Sequence, residues 1–306
     1  MKTFTAFFRL VRWQNLVFIV LTQLLFYFSI YKSLYPDDKA VYKISWLVCA
    51  SVLIAAAGYI INDYFDLNID RINKPGKNVL NTIISRRWAI LWHILFSFLG
   101  VLATAVAVSF QKWYLIIANI VCVLLLWLYS TSFKRQVLIG NIVISLMTAW
   151  SVLIIFFAKV PFSSAFLAGD ERTVKFFRVA FLYAGFAFVL SMIREAVKDV
   201  EDMEGDRRYQ CNTLPIAAGV LATKIYTTVW LVVITGALVV LQLYVLQFGW
   251  FWAVAYSSVC IIAPLVYFSI KHHRAKTTAQ FAELSSLAKW IMLAGILSML
   301  FFSKYL

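Results

Sequence analysis

Residues 43–70 read KISWLVCASVLIAAAGYIINDYFDLNID. The stretch 43–61 is almost wholly apolar and close to the length of about 20 residues that a helix needs to cross a bilayer core. Asp63, Asp66 and Asp70 then arrive at its end, spaced i, i+3 and i+7. On a helix that spacing puts all three carboxylates on one face over two turns. Asn62, four residues before Asp66, adds a neutral carbonyl oxygen to the same face. A membrane span that ends in a row of oxygen ligands is the first expectation.

The rest of the chain has the same character. Of its 306 residues 63% are hydrophobic and 14% charged, which is too apolar for a water-soluble fold with an ordinary surface. Nine spans are expected, near residues 13–33, 43–61, 88–109, 113–130, 137–158, 177–196, 226–246, 249–270 and 286–303. The fold class is therefore an all-α integral membrane protein, read as one domain over residues 1–306 with nine transmembrane helices around a central cavity. Only Gln111 and Lys112 separate the third and fourth spans, and a short break near Gln247 to Gly249 separates the seventh and eighth. Both pairs should be tight hairpins. The first run lacks a small-residue cleavage site, so it is expected to remain as a span.

The net charge of +14 would suit a nucleic acid if the charges were clustered for one. Instead 19 of the 28 Lys and Arg residues fall in the N-terminal arm and the even-numbered loops. By the positive-inside rule that side is cytoplasmic. The basic charge therefore reads as topology, in the inner or plasma membrane, with no nucleic-acid partner and no obligate protein partner. Cys49, Cys122, Cys211 and Cys260 have no paired spacing and read as small apolar fillers.

The acids are the informative minority. Nine of the fourteen sit in two places. The second cluster, REAVKDVEDMEGD at 194–206, follows the sixth span and contains Asp199, Asp202 and Asp206. These repeat the i, i+3, i+7 pattern at a constant offset of 136 residues, which is expected of an internal duplication. Stacked like charges repel one another and are costly near lipid. Hard oxygen donors suit Mg²⁺, which keeps open positions for phosphate oxygens. Two such rows facing each other would hold metal ions between them, with open positions for substrate phosphates.

At these residues the sequence resembles the UbiA superfamily of intramembrane prenyltransferases. Asn62-Asp63-x-x-Asp66-x-x-x-Asp70 fits that family's NDxxDxxxD motif, and Asp202-x-x-x-Asp206 fits its DxxxD motif. KDVEDMEGD followed by Asn212-Thr213-Leu214-Pro215 is similar to the digeranylgeranylglyceryl phosphate synthase branch. Lys74-Pro75 stands where that branch commonly has Arg-Pro. The resemblance implies Mg²⁺-dependent transfer of a prenyl group from an isoprenyl diphosphate to a hydrophobic or amphipathic acceptor. A glycerol-phosphate lipid receiving a geranylgeranyl group is the first choice, and an aromatic or chlorophyll-type acceptor is the alternative.

Site residues follow. Asn62, Asp66 and Asp70 are expected on one metal ion and Asp202 and Asp206 on another, with Asp63 and Asp199 as further ligands or orienting groups. Asp66, Asp70, Asp202 and Asp206 carry the catalytic role. Arg71 and Lys77 follow the first row and are expected to clamp the diphosphate. The resemblance favours Lys134 and Tyr129 as substrate-binding residues as well. Arg12 and Asn15 open the first span, and polar groups there face a bundle interior. His93 is expected to be a packing residue, and His272 and His273 to be solvated in a basic loop. No general base stands out; a carboxylate such as Asp63 or Asp199, or the diphosphate, would take the proton. Three other classes fit less well. A CDP-alcohol phosphotransferase has a continuous acidic motif beginning Asp-Gly, which is absent here. An ion-coupled transporter would carry acids near the midplane of its spans. A scaffold leaves the duplicated acidic rows unexplained.

Overall fold

The computed structural model describes residues 2–73, 79–108, 110–160 and 170–305. A short helix α1 (Lys2–Leu10) leads in. Nine helices long and apolar enough to cross a bilayer follow among the described residues: α2 (Trp13–Leu34), α3 (Val41–Asn73), α4 (Arg86–Ala107), α5 (Trp113–Thr131), α6 (Ile139–Lys159), α7 (Glu171–Glu201), α10 (Gly219–Leu246), α11 (Phe251–Arg274) and α12 (Thr278–Tyr305). Two short helices, α8 (Met203–Arg208) and α9 (Leu214–Ala217), join α7 to α10. The expected number of spans and both hairpins are present. Gly249, at φ 75°, makes the turn between α10 and α11.

Several helices outrun their apolar segments. α3 continues unbroken through the acidic stretch to Asn73, and α7 begins at Glu171 and ends at Glu201. Hydropathy locates only the part of a helix that lies in lipid, whereas backbone hydrogen bonding carries the helix on into water.

α3 and α7 form the centre of the bundle. α3 packs along α4 and α5, and α7 packs along α6, α10 and α12. Three apolar cores fill the bundle. One lies at the end distal to the acids and joins Phe26, Ile30, Leu47, Phe156 and Phe176. The second joins Val197, Leu231, Leu265, Phe281 and Leu284 in the C-terminal half. The third joins Leu10, Ile60, Leu67 and Leu80 in the N-terminal half. The outer faces are apolar too: Leu91, Phe98 and Leu102 on α4 and Val232, Val240 and Leu243 on α10 are all exposed. A contiguous patch of this kind is untenable in water and ordinary against acyl chains.

At the distal end a polar clasp ties α2 to α6. Asp38 accepts hydrogen bonds from Lys159 Nζ at 2.7 Å, Tyr31 Oη at 2.8 Å and the Ala40 amide at 2.8 Å. The Lys159 ammonium also lies 5.0 and 5.1 Å from the Tyr27 and Tyr31 ring centres. Burial alone pushes the Asp38 carboxyl up, but these donors outweigh it and hold it at about 2.

Two sequence expectations are corrected by the fold. The second acidic row does not lie on one helix: α7 ends at Glu201, and Asp202, with φ and ψ of −89° and 3°, breaks the helix before α8 begins. His272 is not solvated. It is buried on α11 between the rings of Phe268 and Phe281, because the helix runs on to Arg274 and turns that face onto α12. His93 is the packing residue expected, with Nδ1 3.0 Å from the Ala57 carbonyl oxygen.

Candidate active site

Successive spans alternate in direction, so the start of α2, the end of α3, the end of α5, the start of α6, the end of α7 and the start of α12 meet at one end of the bundle. The charged residues of the site come from these ends. A polar cavity of about 280 Å³ is lined there by Arg9, Arg12, Asn15, Asp63, Asp70, Arg194, Lys198 and Lys289. Arg12, left-handed at φ 50°, turns the chain from α1 into α2. Its Nη2 lies 2.6 Å from Asp63 Oδ1 and its guanidinium 5.2 Å from the Tyr59 ring. Asp63 pushes the Arg12 guanidinium above its ordinary range, against the opposing cost of burial.

Asp66 faces a different neighbour. Asn62 Nδ2 donates to Asp66 Oδ2 at 2.7 Å, and the Lys134 ammonium pairs with Asp66 Oδ1. Lys134 sits in a 3-10 turn, Phe133–Arg135, between α5 and α6. That turn lies so close to α6 that a Cβ at Gly140 would stand 2.8 Å from the Lys134 Cα, so only glycine fits there. Burial pushes the Lys134 ammonium down to about 7 with help from Arg135, while Asp206 and Cys211 act in the opposite sense. The carbonyl of the adjacent Arg135 accepts from the Asn212 amide at 2.7 Å. The lysine turn is thus tied to the first acidic row and to the segment that follows the second. Lys134→Ala is expected to raise the KM for prenyl diphosphate about tenfold or more, the loss typical of one charge-assisted contact. Steady-state kinetics that leave this KM unchanged would reduce Lys134 to a topological charge.

The second row is held by side chains from elsewhere. Asn141 at the start of α6 donates to Asp199 Oδ2 at 2.8 Å. Lys198 Nζ lies 3.9 Å from Asp202 Oδ2. Asn73, the last residue of α3, donates from Nδ2 to the Asp202 carbonyl at 2.9 Å and accepts at Oδ1 from the Gly205 amide at 2.8 Å. The Asp202 carbonyl also accepts from the Asp206 amide at 3.2 Å, so Asn73 adds a second donor to that carbonyl, satisfies the Gly205 amide in the first turn of α8, and bolts the end of the first row to the second.

The residues fit a divalent cation in donor chemistry. Both rows present hard oxygen donors, and Asn62 Oδ1 is a buried acceptor with no hydrogen-bond partner among the described residues. Among the described residues no three carboxylates, histidines or cysteines converge closely enough to hold an ion alone. Instead Arg12 rests on Asp63, Lys134 on Asp66 and Lys198 on Asp202.

Beneath the polar cavity lies an apolar one of about 400 Å³. Its walls run from Asn62, Tyr129 and Glu195 past Ile54, Leu126, Met147 and Phe186 to Trp250, Met299 and Phe302. Arg12, Asn15, Arg194, Lys198 and Lys289 line both cavities. Charged headgroup space and apolar tail space are therefore contiguous.

Of the residues singled out from sequence, Arg12, Asn15, Asn62, Asp63, Asp70 and Tyr129 line one or both cavities. Asp66, Asp199 and Asp202 meet Lys134, Asn141 and Lys198 respectively. Asp206 stands beside the Lys134 turn as an electrostatic partner. Arg71 is exposed and lines neither cavity. Lys77 lies outside the described residues. Sequence reasoning passed over Asn73, Asn141, Glu195 and Lys289 as site residues. Lys289 has a legible signal, a lone lysine near the start of the ninth apolar run. The two asparagines carried none.

Residues 24–293 match the family model described as the UbiA prenyltransferase family. The digeranylgeranylglyceryl phosphate synthase of Methanospirillum hungatei is 28% identical over 256 residues, which is 82% of this chain and 83% of the relative. A solved digeranylgeranylglyceryl phosphate synthase structure superposes with a TM-score of 0.63 at 23% identity, covering 98% of this chain and 99% of that one. A UbiA homologue from Archaeoglobus fulgidus, solved with GPP and Mg²⁺, gives a TM-score of 0.57 at 19% identity, covering 96% of this chain and 99% of its own. With its nine candidate spans and two acidic rows, this chain belongs to the UbiA prenyltransferase family.

Proposed function

We propose that this prenyltransferase moves a geranylgeranyl group from its diphosphate onto the free hydroxyl of a glycerol-phosphate lipid, with Mg²⁺ as cofactor and the polar cavity open to the cytoplasm. The observation that carries the reading is the seam at which five polar residues line both the charged and the apolar cavity. A substrate with an anionic head and a long hydrocarbon tail matches that shape, and the named relatives are synthases of a phosphate lipid of that kind.

Asn62, Asp66 and Asp70 would hold one Mg²⁺, and Asp202 and Asp206 a second. When bound, the metal neutralises the negative charge that builds on the departing diphosphate. Asp63 and Asp199, held by Arg12 and Asn141, orient the rows. Arg12, Lys134 and Lys198 each rest on a row carboxylate and turn from it to the diphosphate oxygens. The allylic C1–O bond breaks and its electron pair leaves with the diphosphate. The acceptor hydroxyl oxygen forms the new bond to C1, and its proton passes to a site carboxylate or to the diphosphate. The apolar walls keep water from capturing the allylic carbon, so transfer outruns hydrolysis.

The test is incubation of purified protein with labelled geranylgeranyl diphosphate and a panel of geranylgeranylglyceryl phosphate, a naphthoate, a hydroxybenzoate and a porphyrin. Product is expected only with the phosphate lipid, to be stopped by EDTA and restored by Mg²⁺. Transfer to another acceptor would replace the acceptor assignment, and turnover indifferent to chelation would remove the metal.

A further inference from the structure

Arg9, which also lines the polar cavity, is exposed; the remaining cations around it divide into two sets. Arg12, Lys198 and Lys134 each rest on a carboxylate of the acidic rows, and Arg194 pairs with Glu195. Lys289 is different. It stands near the start of α12, which packs on α7 and α2. Among the described residues its ammonium contacts no carboxylate; its one hydrogen-bond neighbour is Asn15 Oδ1 at 3.4 Å. It is half-buried and lines both cavities. A cation held in such a place without a counter-ion is costly, and an anion arriving there repays that cost.

We infer that Lys289, positioned by Asn15, is a specificity-determining residue that binds the phosphate of the acceptor, at the seam where an acceptor tail enters the apolar cavity. This rests on the proposed acceptor class and deepens it. The cations that rest on the acidic rows lie beside the ligands proposed for the donor diphosphate. Among the described residues Lys289 makes no ion pair with either row, so it is available to a second anion. An ammonium with three donors recognises phosphate as a point charge, and its one neutral neighbour leaves donors free. An acceptor with a neutral head would leave the charge unmatched, which gives discrimination as well as affinity.

The experiment measures the KM of both substrates for wild type, Lys289→Gln and Lys289→Arg, using geranylgeranyl diphosphate as donor and geranylgeranylglyceryl phosphate as acceptor. Lys289→Gln is expected to raise the acceptor KM about tenfold, equivalent to ~1.4 kcal/mol, with the donor KM changed less than about twofold, and Lys289→Arg to recover most of the loss. An unchanged acceptor KM, or a rise in the donor KM instead, overturns the assignment. A binding arm needs no turnover. Wild-type protein without metal is titrated with geranylgeranylglyceryl phosphate and with geranylgeranylglycerol, and inorganic phosphate is added as competitor. The phosphate lipid is expected to bind about tenfold tighter than the neutral alcohol. Competition by millimolar inorganic phosphate would mark the headgroup alone as sufficient, and its absence would mark the lipid as the ligand; in either case a preference for the phosphate lipid retained in Lys289→Gln, titrated in the same way, overturns the assignment. Equal binding of the two lipids overturns the inference even where Lys289→Gln fails to fold. If wild type transfers to none of the phosphate acceptors yet prefers the phosphate lipid in this arm, the acceptor reading fails and the anion subsite stands.

Discussion

Asp66→Asn is expected to abolish prenyl transfer, with a loss on the order of 10³ or more, the scale of removing a group that stabilises developing charge. The substitution keeps the shape of the side chain and can keep its contact with Asn62. It removes the charge on which Lys134 rests and one of the oxygen donors aligned with Asn62 and Asp70 on the first row. Because the change is nearly isosteric, the protein is expected to elute from size exclusion in detergent as wild type does. Diphosphate release from labelled geranylgeranyl diphosphate is the readout. Turnover at the wild-type rate would take Asp66 out of the ligand set, and partial activity restored by raising Mg²⁺ would place the defect in metal affinity.

Gly205→Ala should have the second largest effect, although residue 205 touches no substrate. A Cβ there would stand 2.5 Å from Asn73 Oδ1, which cannot be accommodated without moving Asn73. Asn73 is the bolt between the rows, bonded to the Asp202 carbonyl and the Gly205 amide. Displacing it costs about 1–3 kcal/mol of stability through overpacking and shifts the second row against the first. Misplacement of catalytic groups by about 1 Å can cost roughly 10² in rate. The measurements are kcat and thermal unfolding of Gly205→Ala, Asn73→Ala and the double variant. The double variant is expected to be no worse than Asn73→Ala alone, because both substitutions break the same pair of hydrogen bonds. Strictly additive losses would show that the two residues act separately.

These two residues mark how much was legible. Asp66 announces itself: an acid at a fixed spacing, on the end of an apolar span, in a chain poor in acids. Asn73 and Gly205 do not, since both read as ordinary polar punctuation after a helix. The first row was read correctly as one helical face, because α3 does continue through it. The second has the same spacing but bends at Asp202. The spacing of the residues carries no signal of that bend, which is stabilised by a side chain 129 positions away. Lys134 was singled out by resemblance, but its contact with Asp66 depends on how closely its turn packs on Gly140.

The amino-acid sequence by itself determined the nine spans, the two acidic rows at one end of them, and the family. Those are properties of apolar length and short-range spacing, which a helix converts into position by its own geometry. Tertiary structure alone decided which cation rests on which carboxylate, that Asn73 joins the rows, and that Lys289 reaches Asn15 from 274 positions away. It also decided that a charged cavity opens into an apolar one. Such contacts depend on how the helices pack side by side, and packing is set by the shapes of many side chains at once.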